Sequence, residues 1–221
     1  MIPFKDDNRK RVFPFVTLGL VAANAGVFAR LLFLPEAELK DMLLRLAVVP
    51  YQFTHVPAGD WKDLLAVVAT LFTSMFVHAG WIHLLGNVLY LWIFGDDVEE
   101  MLGHGRFALF FLICGLVAAG SQIAAQPQSR APMVGASGAI AGILGAYLVL
   151  FPTSRVHTFV FVRIVPLPAL IVLGFWLLIQ LISAGPGGGG GVAWFAHLGG
   201  FVAGVLLVAP FRVRRPRQAL F

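Results

Sequence analysis

Along the chain, apolar positions gather into long runs and polar positions fall in short stretches between them. Runs close to the length a helix needs to cross a bilayer, about 20 residues, cover Phe15–Leu34, Trp81–Phe94, Phe107–Ala125, Val134–Phe151, Leu167–Ser183 and Ala193–Phe211. The second is irregular. No Asp, Glu, Lys or Arg occurs from Leu64 through Gly95, which is too long for one straight span. Two arrangements fit it: a leading segment Leu64–Val77 lying in the membrane surface before a span that starts near His78, or one long tilted helix. Glu36–Val49 mixes charges with Leu and Met and is predicted as a short amphipathic helix on the outer surface. The pattern predicts an all-α polytopic membrane protein, a bundle of six transmembrane helices. Residues 1–14 form an N-terminal tail and residues 15–211 the six-helix domain, with an outer loop 35–77 between spans one and two. Residues 212–221 form a basic tail.

Composition supports the membrane. Of 221 residues 59% are hydrophobic and 12% charged, and the mean hydropathy is +0.86. A soluble core of this length leaves much of its chain facing water and could not hide that surface. The net charge of +5 does not point to nucleic acid, because the basic residues cluster at the ends of apolar runs and form no stripe. With six spans both termini lie on one side. Lys5, Arg9, Lys10, Arg11, Arg106, Arg155, Arg163, Arg212, Arg214, Arg215 and Arg217 then share that side. Arg30, Lys40, Arg45, Lys62 and Arg130 face the other, a division of eleven to five that makes the first side the cytoplasm. The first run lacks a small-x-small cleavage site and is expected to be retained. The single cysteine, Cys114, lies in an apolar run and has no internal partner. Neither an appended soluble domain nor an internal repeat is expected, and the compact form suggests a prokaryotic cytoplasmic membrane.

In lipid, the informative residues are the polar ones. His78, His83 and Asn87 surround the second span, Ser137 stands in Gly135-Ala136-Ser137-Gly138, and His197 stands in Ala196-His197-Leu198-Gly199-Gly200. Spans two, four and six run from outside to inside, so His83, Ser137 and His197 all sit roughly 5–10 Å below the outer surface at 1.5 Å per residue. His83 and Asn87, four residues apart, share a helix face. Gly138 and Gly142 on span four, and Gly200 and Gly204 on span six, have the spacing of small residues that lets backbones touch in lipid. Alone, Ser137 reads as a hydroxyl bonded back to its own helix, and the glycines report packing only. Together, at one depth, they suggest chemistry. His55, His104 and His157 fall in loops or at span ends and read as surface residues.

Peptide hydrolysis by serine needs a base for the hydroxyl proton and donors for the oxyanion. His197 supplies a neutral imidazole, and His83, Asn87 and the Ser137 backbone supply N–H groups. No Asp or Glu lies at that depth, so a Ser–His dyad with an imidazole oriented by packing is the simpler expectation. A zinc site is disfavoured by the lack of His-Glu-xx-His and of any carboxylate at that depth; no metal and no cofactor are expected. A transporter or channel would carry polar groups through the whole thickness, whereas these cluster in the outer part. A non-catalytic binder of membrane clients would lack the serine or the histidine.

His78-xxxx-His83-xxx-Asn87, Phe94-Gly95-xx-Val98-Glu99, Gly135-x-Ser137-Gly138, and His197 followed by Gly199-Gly200 and Gly204 together resemble the rhomboid intramembrane serine proteases, from about Thr73 to Gly204. The resemblance implies a six-helix core, a Ser137–His197 dyad and an oxyanion site from His83, Asn87 and the Ser137 backbone. It implies a water-accessible cavity open to the outside, with His78 near its mouth, and single-span membrane proteins as substrates. Many members carry Trp-Arg eight to nine residues before the first motif histidine; here those positions are Ala69-Thr70, with Trp61-Lys62 further upstream. The glycine-rich stretch 185–191 is expected to loosen span five or its cap and help substrate enter sideways.

Overall fold

The computed structural model describes residues 1–8, 10–56, 61–185 and 191–213. The expected mobility of the glycine-rich stretch falls on 186–190 and so lies outside the described residues, as does most of the basic tail.

All six apolar runs are helical. They correspond to α1 (Phe15–Leu32), α5 (Trp81–Leu102), α6 (His104–Ala125), α7 (Ser137–Leu150), α8 (Ala169–Ser183) and α9 (Trp194–Phe211). The connection after α1 folds into α2 (Glu36–Leu46), α3 (Pro50–Thr54) and α4 (Trp61–Thr73), followed by a 3-10 turn at Ser74–Phe76. Helices α1, α6 and α9 each have the length and hydropathy to cross a membrane; α7 and α8, at 14 and 15 residues, are shorter. The long apolar second run is a bent pair: α4 with its 3-10 turn meets α5 at 77°. The break spans 77–80, so a separate leading helix precedes α5 and the single tilted helix is excluded. The amphipathic α2 buries none of its residues.

Helix α7 is the centre of the bundle. Every residue from Ala139 to Tyr147 is buried, as expected of a helix that is apolar all round and covered on every side. Its closest neighbour is α9. A Cβ added at Gly200 would strike the carbonyl oxygen of Gly138, and one at Gly204 that of Gly142. The two backbones therefore touch at both small-residue pairs, which holds α7 and α9 at a fixed distance and height. That contact sets where Ser137 and His197 sit.

Helices are not the whole fold, which corrects the all-α expectation. β1 (Ile2–Asp6), β2 (Arg155–Val160) and β3 (Arg163–Pro168) form an antiparallel sheet in the order β1-β2-β3. Ile2 pairs with Phe159 and Phe159 with Ile164. In β2 the inward residues Val156 and Thr158 are fully buried, the alternation a half-covered strand requires. The stretch expected as an N-terminal tail thus contains a paired strand. Asp6 accepts from the Tyr147 hydroxyl at 2.8 Å, and Asn8 donates to Tyr147 and to Asp97, which fixes that strand against the C-terminal ends of α5 and α7.

Candidate active site

Ser137 is the first residue of α7, and the residues before it determine where it points. Gly135 has φ of +112°, a conformation that side chains rarely allow, and its N–H donates to the carbonyl of Ser74 at 2.8 Å. A Cβ at Gly135 would lie 2.5 Å from His83 Nε2 and 3.4 Å from Asn87 Nδ2. Only glycine lets the turn press this closely on α5. Because Ser137 opens the helix, its backbone N–H has no acceptor from within that helix.

His197 lies in the first turn of α9, opposite Ser137. Its Nε2 is 2.8 Å from Ser137 Oγ, and its Nδ1 is 2.7 Å from Oε1 of Gln180 on α8. The indole rings of Trp176 and Trp194 both stand 6.0 Å from the imidazole, one tilted and one edge-on. The ring is thus held by packing, as the sequence suggested, and also by an amide that the sequence reading did not single out.

His83 and Asn87 share a face of α5 that lies against Gly135. Asn87 is buried, and its Nδ2 has no hydrogen-bond partner among the described residues. A buried amide donor without an acceptor is costly and is suited to a transient negative oxygen. His78, expected at the site's mouth, is 2% exposed and stands edge-on to the His83 ring at 5.0 Å. The 77–80 break turns its ring inward against its neighbour, so it backs His83 and does not face the opening. Around these groups lies a cavity of about 1010 Å³, lined among others by His83, Gly135, Ser137, His197, Trp194 and Gln122.

Four of the sequence-predicted residues, Ser137, His197, His83 and Asn87, therefore converge around Gly135. Gly138, Gly142, Gly200 and Gly204 form the contact behind them. The reading missed Gln180 and Gln122. Gln122 is buried, donates to Gln126 Oε1 at 2.9 Å and accepts the N–H of Ala196 at 3.3 Å. An uncharged amide in an apolar run was the available signal for both. The remaining histidines are peripheral: His55 stacks on Tyr51, His104 meets Glu99 and His157 meets Asp7.

The Rhomboid domain family matches residues 66–214. The chain belongs to the rhomboid family. RHOMBOID-like protein 1 of Arabidopsis thaliana is 32% identical over 229 residues, covering 95% of this chain and 56% of that protein. Rhomboid protease GluP of Bacillus subtilis is 33% identical over 158 residues, covering 70% of this chain and 27% of that protein. YdcA of Bacillus subtilis is 31% identical over 199 residues, covering 89% of this chain and 88% of YdcA. The rhomboid chain spans from 27% to 56% of the first four curated relatives it matches. As a family member it is membrane-embedded through its apolar helices. Where many rhomboids carry Trp-Arg, Thr70 is buried here and donates its hydroxyl to the carbonyl of Val67 at 2.6 Å, while Trp61 is exposed beside Lys62.

Proposed function

We propose that this rhomboid is an intramembrane serine endopeptidase that hydrolyses peptide bonds in or near the transmembrane segments of single-span membrane proteins. The observation that carries the reading is the 2.8 Å approach of His197 Nε2 to Ser137 Oγ at the wall of a cavity. The reaction runs through Ser137 Oγ, which attacks the scissile carbonyl carbon while His197 Nε2 takes its proton. The tetrahedral oxyanion is received by the Ser137 backbone N–H, the Asn87 amide and the His83 ring, and the imidazolium returns the proton to the leaving amine. Water then repeats the sequence on the acyl-enzyme.

The membrane arrangement that goes with it has six crossings, by α1, α5, α6, α7, α8 and α9, over residues 15–211. Both termini face the cytoplasm, and the membrane is a prokaryotic inner membrane. The shortness of α7 supports the depth of the site. Its 14 residues span about 21 Å against a hydrocarbon core of about 30 Å. A helix flush with the cytoplasmic side then leaves Ser137 about 9 Å below the outer surface, where water reaches it only through the cavity.

The test is cleavage of a model single-span substrate by the reconstituted chain, comparing wild type with Ser137→Ala and His197→Ala. Cleavage by wild type alone, insensitive to chelators, is expected. Equal cleavage by Ser137→Ala removes the assignment, and substrate binding without cleavage by any form points instead to a client-binding rhomboid.

A further inference from the structure

We propose that Gln180 is a positioning residue of this site, an amide acceptor on α8 that fixes which nitrogen of the His197 imidazole carries the proton. The proposal rests on reading His197 as the base for Ser137.

A neutral imidazole has one N–H and one lone pair, and the partner of one nitrogen decides the role of the other. Gln180 is placed to make that decision. Its Nε2 lies 3.4 Å from the carbonyl oxygen of Trp176, one helical turn earlier. A carbonyl oxygen accepts only, so the NH₂ end of the amide is turned to the helix backbone. The other end, Oε1, is then the atom facing His197 Nδ1 at 2.7 Å. Oε1 accepts only, so Nδ1 must carry the hydrogen. The lone pair is left on Nε2, directed at the Ser137 hydroxyl 2.8 Å away. The backbone of α8 thus orients the amide, the amide sets the tautomer, and the tautomer puts the base where the nucleophile is.

The placement of Gln180 argues that this role matters. It is 6% exposed and interrupts the otherwise apolar run Ala169–Ile182 of α8. A polar amide there is unfavourable unless its hydrogen bonds are made. In a soluble triad a carboxylate occupies this place. An ionised carboxylate in this setting would carry a large desolvation cost, and an amide gives the same direction without the charge. It also stabilises the imidazolium less, so the base is weaker than one backed by aspartate. Because the acceptor rides on α8 and the base on α9, a shift of α8 by about 1 Å takes Oε1 beyond hydrogen-bonding range.

Gln180→Leu, nearly the same shape without an acceptor, and Gln180→Glu separate this role from packing. The full chain is reconstituted in liposomes and cleavage of the single-span substrate is followed against substrate concentration and pH. Gln180→Leu should lower kcat by about tenfold to a hundredfold, the loss expected when one hydrogen bond and the correct tautomer are gone, with KM within about twofold. Gln180→Glu, which keeps a carboxyl oxygen able to accept from Nδ1, should retain much of the activity that Gln180→Leu loses. Wild-type kcat in Gln180→Leu would overturn the proposal. If Gln180→Leu does not fold, Gln180→Met, flexible and likewise without an acceptor for Nδ1, takes its place, and wild-type kcat in it overturns the proposal equally. Ser137→Ala run in parallel separates the two readings: an active Ser137→Ala removes the serine mechanism itself, whereas an inactive one beside a fully active Gln180→Leu removes only the role of Gln180.

Discussion

Glu99 on α5 accepts both the backbone N–H and the hydroxyl of Thr17, at 2.7 and 2.6 Å. The same carboxylate accepts the N–H of Val16 at 2.9 Å and meets His104 Nδ1 at 2.5 Å. The first N–H groups of a helix have no partner inside it, and here a side chain from another helix provides one. The favourable pairing of a carboxylate with a helix start adds to this. A single residue, 1% exposed, therefore fastens the start of α1 to the C-terminal end of α5.

Replacing Glu99 with alanine leaves these donors without their acceptor. The expected loss is at least about 3 kcal/mol, because hydrogen bonds to charged groups are the costlier ones to break. Thr17→Val should lose only about 1 kcal/mol. Thermal unfolding in detergent measures both. Equal Tm values for wild type and Glu99→Ala would mean that α1 is held by packing alone.

The contact between α7 and α9 gives a contrast within one residue type. A Cβ at Gly204 would run into the Gly142 carbonyl, a rigid backbone atom, whereas one at Gly19, on the exposed face of α1, meets nothing within 4 Å. Gly204→Ala should therefore destabilise by about 1–3 kcal/mol and also slow cleavage, since it pushes His197 away from Ser137. Gly19→Ala should be neutral or stabilising by up to about 1 kcal/mol. Similar shifts for the two variants in the same unfolding assay would show that the close approach does not set the helix spacing.

How much of this was legible in the sequence follows from the range of the signals involved. The six helices were readable because an apolar run of crossing length is a local property. The uncharged run Leu64–Gly95 left two arrangements open, a leading segment before the span or one long tilted helix, and only the break at 77–80 decided between them. Ser137, His197 and His83 stood out as polar residues in apolar runs, and Asn87 as the residue one turn after His83 on the same face. The sheet was not readable. Residues 152–166 read as a connection and Leu167 as the start of a span, because the partner of β2 is a strand more than 140 residues earlier, at Ile2–Asp6, and pairing over that distance leaves no local mark. Glu99 was noticed in a motif, but its partner Thr17 was not, for the same reason. Gln180 was passed over because an uncharged amide in a helix is less conspicuous than a histidine; only the fold reveals that it faces one.

The N-terminal strand should detach at high pH. Lys10 pairs with Asp96. Burial on its own would lower the lysine pKa, but the hydrogen bond to Asp96 and the charges of Asp96, Asp6 and Asp97 outweigh it, and the folded pKa lies above the ordinary 10.5. A raised lysine pKa contributes stability that is present below the unfolded value and is lost as pH rises through the folded one. The contribution of the charged lysine should therefore be present at neutral pH and be lost above about pH 10. Hydrogen exchange of the β1 amides reports the attachment. Wild type should show protection that falls above about pH 10, and Lys10→Met should show weaker protection at neutral pH and a smaller fall. Parallel curves for the two proteins would remove Lys10 from the attachment.

The sharpest test of the oxyanion side of the site is the residue with no side chain. Gly135 occupies a backbone conformation unfavourable for alanine, and an added methyl would press on His83 Nε2 at 2.5 Å. Gly135→Ala must therefore move the turn, the His83 ring, or both, while Ser137 and His197 remain in the chain. Loss of an aligned oxyanion donor costs about 10²–10³ in kcat, and a displaced Ser137 N–H adds to that. The expected outcome is a folded protein with cleavage reduced at least about 100-fold. Asn87→Ala should lower kcat by a similar factor with little change in KM, since its free amide donor acts on charge that develops only during reaction. Reaction with a fluorophosphonate, whose phosphoryl oxygen occupies the same position, should slow in both. Full activity in Gly135→Ala would show that His83 and Asn87 do not flank the reacting carbonyl, and the oxyanion donors would then have to be sought on the α9 side of Ser137.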